Sequence, residues 1–112
     1  MAIGMTAGSA SIGTTEYFII SASTTATYQT TDVVLQVFVS LANMAAGDQY
    51  QITVYEKVNA GTATAVSVSV PTGAQSTLWV SPSLIVGEGY EIGIKKIAGT
   101  DRTINWSYRT AT

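Results

Sequence analysis

The 112-residue chain has no cysteine and no histidine. Without cysteine there is no disulfide, no thiolate metal site and no thiol nucleophile. Without histidine the commonest general base and the commonest metal ligand are both missing. Charge is scarce as well: 11% of residues carry one, against about 25% in an ordinary soluble domain. Five basic residues stand against seven acidic ones, a net charge of −2, and Lys95-Lys96 is the only adjacent basic pair. A nucleic-acid partner requires a cationic footprint that displaces counterions, so none is expected. The first charged residue is Glu16, and the chain therefore starts without the positive region of a secretory signal. No apolar run approaches the roughly 20 residues of a membrane-spanning helix, so no membrane partner is expected either.

What fills the chain instead is 46% apolar residues, with Ser, Thr, Ala and Gly making up much of the rest. A monomer ordinarily keeps its neighbours apart with interspersed surface charge. A surface of small uncharged residues suits close contact with other subunits, although Thr-rich strands also account for part of this composition.

Along the chain, residues 1–14 read as an N-terminal arm or first strand, rich in small residues, with Ile3, Met5 and Ile12 spaced through it. Residues 15–112 read as a single domain of period-2 runs separated by turn signals. Tyr17-Phe18-Ile19-Ile20 forms the first clear strand. In Asp32 to Leu41, Val33, Leu35, Val37, Val39 and Leu41 make one unbroken apolar face. Tyr50, Ile52, Val54 and Val58 point inward in the next run, while Val66, Val68 and Val70 alternate with Ala65, Ser67 and Ser69. Leu78-Trp79-Val80 and Leu84-Ile85-Val86 flank Pro82, which marks an edge, a bulge or a change of sheet. Tyr90, Ile92 and Ile94, then Ile104, Trp106 and Tyr108, complete the pattern. Leu41 to Ala46 allows one helical turn at most. The expected fold is all-β: a single antiparallel β-sandwich of seven to eight strands, jelly-roll-like.

Catalytic equipment is thin. Glu88 and Glu91 are neighbours in sequence, but a glycosidase pair needs one desolvated member. Glu88 between two glycines reads as a solvated turn residue, and Glu91 as a strand surface residue. Asp48 and Asp101 sit in turns, where an aspartate commonly bonds nearby backbone, and one carboxylate per loop is poor provision for calcium. No Gly-x-Ser-x-Gly or Ser-x-x-Lys motif supports a serine nucleophile. No enzyme activity, cofactor or metal is expected. Among the aromatics, Trp106 and Tyr108 belong with the core, whereas Trp79 points outward if Leu78 and Val80 point in. Trp79, Phe38 and Tyr55 are then candidate anchors for a partner, together with Ile3, Met5 and Ile12 of the arm.

Three stretches carry a resemblance: Asp32 to Val39, then Ala46-Gly47-Asp48-Gln49-Tyr50 running to Tyr55-Glu56-Lys57-Val58, and Leu78 to Leu84. The tail from Ala98 through Arg102 to Trp106-Ser107-Tyr108-Arg109 continues it. Residues 15–109 resemble the small all-β virion proteins of tailed phages that serve as capsid decoration, or cement, proteins. The resemblance implies a protein made in the host cytoplasm without a signal peptide and carried on the capsid exterior. It would bind the major capsid protein of the assembled head, often as a homotrimer, and tie neighbouring capsomers together. No functional residue transfers with it. A carbohydrate- or receptor-binding module of a phage fibre, built on Trp79 and nearby tyrosines, is the alternative, and a small hydrolase built on carboxylates a weaker third.

Overall fold

A computed structural model of the chain describes residues 2–112, and these form strands and turns with no helix. The strands are β1 Ile3–Ile12, β2 Tyr17–Phe18, β3 Val33–Ser40, β4 Gln49–Glu56, β5 Thr64–Ser69, β6 Trp79–Val80, β7 Leu84–Val86, β8 Glu91–Ala98 and β9 Arg102–Ala111. They build two antiparallel sheets. The first runs β1-β9-β3-β6, with β7 also paired to β3; the second runs β2-β8-β4-β5. Strands β6 and β7 pair with successive stretches of β3 and are separated by Ser81-Pro82-Ser83. They occupy one strand position broken by a proline, which removes a ladder donor. Eight strand positions remain, and their order is that of a jelly roll: two interlocked Greek keys closed as a sandwich.

The alternation of apolar residues decides which side of each strand is covered. Val33, Leu35, Val37 and Val39 of β3 are buried, and Tyr50, Ile52 and Val54 of β4 meet them from the opposite sheet with Ile92 and Ile94 of β8. Ile104 and Trp106 of β9 complete the core, and Leu41 and Met44 close one end through a turn in which Met44 N–H bonds Leu41 C=O. Trp106 stacks on Tyr108, with ring centroids 6.2 Å apart. Its indole also lies against Gly8 of β1, where a Cβ would sit 2.6 Å from the ring. Gly8→Ala is therefore expected to lower stability by about 1–3 kcal/mol through overpacking, read as a drop in thermal midpoint.

Several local expectations change in three dimensions. The strand opened by Tyr17 ends at Phe18, because the N–H groups of Ile20 and Ser21 leave the ladder for the Glu91 carboxylate. Val58 is 79% exposed rather than inward. A register shift follows Val54, and Glu56 ends β4 by accepting from the N–H groups of Gly87 and Gly89. On β5 the small Ser67 and Ser69 lie opposite the buried Val54 and Ile52, so the intervening valines face solvent.

Candidate functional site

Among the described residues two carboxylates, Glu91 and Asp48, are buried, and both are structural. Glu91 is not a strand surface residue; its exposure is 0%. The segment Ile19 to Ser21 folds over it and supplies its ligands. Ile20 N–H and Ile92 N–H donate to Oε1, both at 2.9 Å, while Ser21 N–H and the Ser21 hydroxyl donate to Oε2. Every lone pair that could meet a substrate is committed to backbone or Ser21. Glu88 stays exposed in its turn, so the two do not form a working pair.

Asp48 pins together two turns at one end of the sandwich. It accepts from Ala45 N–H in its own turn, from Thr100 N–H across the β8–β9 turn, and from Arg102 Nε at 2.8 Å. Gly99 permits this approach: its φ is +94°, and a Cβ there would lie 2.6 Å from the Asp48 Cα. The Thr100 N–H, then Arg102, then the Ala45 N–H hold the carboxyl down at about 2, below its ordinary 3.8. A depressed carboxyl contributes stability above its unfolded value and loses it as pH falls through its folded one. Thermal melts between pH 5 and pH 2 are expected to show a steep acid loss that Asp48→Asn flattens; parallel slopes for the two proteins would contradict this.

Tyr55, a candidate anchor, lies on the outer face of the second sheet and donates its hydroxyl to Glu16, 2.8 Å from Oε2. Burial first and the Glu16 bond second push its phenol up to about 12. Phe18 packs beside it at 6.3 Å. Tyr55 is half-buried and already partnered.

The remaining candidates separate cleanly. Ile12 is a core residue at the inner end of β1. Trp79 pairs with Val39 across β3 and β6, shares its inward side, and packs against the core, while Leu78 and Val80 are exposed. The orientation expected from sequence is reversed, because a run apolar in both phases takes its direction from its partner strand.

Ile3, Met5 and Phe38, by contrast, lie on one surface, the outer face of the first sheet. Residues directly opposite each other in a ladder share a side. The pairings therefore define rows across the sheet: Ile3, Ala111, Val34 and Ile85; Met5, Arg109 and Gln36; Ala7, Ser107, Phe38 and Val80; Ser9, Asn105 and Ser40. Ile85, Ile3 and Met5 are 89%, 71% and 68% exposed. Arg109 is the only charged side chain in these rows, and its guanidinium lies 3.8 Å above the Phe38 ring. Such stacking leaves the charge over an apolar plane rather than in an ion pair. Arg109 therefore sits mid-face on the inner strand β9, beside Phe38 and Met5, and aromatic, Met and Arg side chains are the types enriched in protein-binding surfaces.

Two shallow depressions flank the Arg109–Phe38 stack. One, of about 180 Å³, lies by Leu78 and Asn105; the other, of about 260 Å³, lies between Ile3, Val34 and Ser83. Both are below the roughly 300–1,000 Å³ of small-molecule sites, so the face fits a broad partner surface better than a ligand. A sugar platform needs an open aromatic ring; Trp79 is turned inward and Phe38 is capped by Arg109. The outer face of the second sheet is different. Its exposed valines follow the single strand β5 and share the sheet with Lys95, Glu16 and Tyr55. Comparison with family models, curated proteins and solved structures finds no match to this chain.

Proposed function

We propose that the chain is a non-catalytic structural protein of a phage particle that docks on the outside of the assembled head through the outer face of its first sheet. The observation that carries this reading is the four-stranded face on which Ile3, Met5, Val34, Ile85, Phe38 and Val80 gather and Arg109 is the one charge. Contiguous exposed apolar surface rimmed by polar residues marks a place where another protein sits. The jelly-roll order is shared by viral capsid and lectin domains, a likeness at the level of fold only. The resemblance of residues 15–109 to capsid decoration proteins names the partner class, the major capsid protein.

A protein that binds only the assembled lattice stabilises it by mass action, and many weak sites on one particle sum. The test is co-sedimentation of the purified chain with expanded heads of the phage that encodes it, beside the same capsid protein unassembled. Saturable binding to heads, with a rise in their disruption temperature, is the expected result. No binding to heads in either the native or the emptied state would overturn the proposal.

A further inference from the structure

We infer that β1 pairs edge to edge with β1 of a second copy of this chain, about a two-fold axis through Ala7. Strand β1 is the outermost strand of the first sheet and runs unbroken for 10 residues. Ala2 and Thr112 exchange both of their backbone hydrogen bonds, so with the β1–β9 register the even-numbered residues of β1 face β9. The N–H and C=O groups of Ile3, Met5, Ala7, Ser9 and Ser11 consequently point away from the molecule along a free edge. Natural edges of this length are blunted by Lys, Pro or a bulge; β1 has none of these.

Three features select a second copy as the occupant. The open groups are symmetric about Ala7, so an antiparallel pair sets Ile3 opposite Ser11, Met5 opposite Ser9 and Ala7 opposite itself. All five open residues then exchange bonds, about ten in total. The intervening close pairs are Gly4 with Ala10 and Thr6 with Gly8, all small enough for the approach of about 4.5 Å between Cα atoms that such pairs adopt. Finally, the on-axis residue Ala7 meets its own copy, so a charge there would face its like and an uncharged residue is required. No side chain of β1 carries a charge. A foreign partner would impose no such condition.

The pair extends the first sheet sideways and leaves its outer face free, so this inference goes beyond the docking reading and fails separately from it. Edge pairing buries little area, and the association is accordingly concentration-dependent. Sedimentation velocity of the full chain up to millimolar concentration is expected to show monomer and dimer. Ala7→Lys and Ala7→Glu, at a position exposed to solvent, should each weaken the dimer at least tenfold while retaining the wild-type melting temperature. An equimolar mixture of the two should restore it as a heterodimer. A monomer throughout, a trimer, or a dimer indifferent to both charges would overturn the pairing, whatever the outcome with phage heads.

Discussion

Glu91→Ala is expected to melt about 12–15 °C below the wild type, a loss of about 3 kcal/mol. The carboxylate accepts from the N–H groups of Ile20, Ser21 and Ile92 and from the Ser21 hydroxyl, under a segment that excludes solvent. Alanine leaves those donors without an acceptor, and each buried unpaired donor costs about 1–3 kcal/mol. Part of this is offset, because an ionised group no longer has to be held out of water and the loop can admit water in its place. Glu91→Gln keeps the volume and one acceptor oxygen but turns an NH₂ toward a donor, so it should lose about half as much. The check is chemical denaturation together with amide exchange at Ile20 and Ser21, which should accelerate more than exchange in β3. A Glu91→Ala protein melting within about 3 °C of wild type would mean that the carboxylate does not anchor the segment.

The second large effect is on docking. Ile85→Asp should weaken binding to expanded heads at least about 30-fold, the cost of truncating an interface anchor worth about 2 kcal/mol. Its side chain is 89% exposed, and such a surface change alters stability by only about 0.5 kcal/mol. The loss would therefore report contact rather than folding. Val66→Asp is the matched control: an exposed valine made acidic in the same way, on the second sheet. Its binding should equal the wild type. If Val66→Asp abolishes binding while Ile85→Asp leaves it intact, the particle is held by the opposite face and the assignment of the docking surface is wrong.

The contrast between Trp79 and Phe38 shows how far sequence reading reaches. On β3 the alternation is long and one phase is purely aliphatic, so Phe38 could be placed outside without knowing its neighbours. Leu78-Trp79-Val80 is apolar in both phases, and only its pairing with Val39 turns the indole inward. Glu91 is the sharper case. A glutamate beside Tyr90 and Ile92 reads as a solvent-facing strand residue, and its period does place it on the outer side of β8 opposite Tyr55. What buries it is the return of Ile19 to Ser21 over that side, a contact between positions some 70 residues apart. Asp48 had one legible partner, Ala45 in its own turn; Thr100 and Arg102 reach it only because the β8–β9 turn and the start of β9 lie beside the start of β4.

The sequence by itself determined that this is an all-β sandwich without histidine or cysteine chemistry. Strand periodicity, turn residues and composition are local properties that need no partner to be read. Tertiary structure decided the rest, for a common reason: the meaning of an exposed side of a strand depends on what the other strands bring beside it. Bringing β1, β9, β3 and β7 together turned scattered apolar residues into one face with a single charge. The register with β9 aimed the odd-numbered backbone groups of β1 along an open edge.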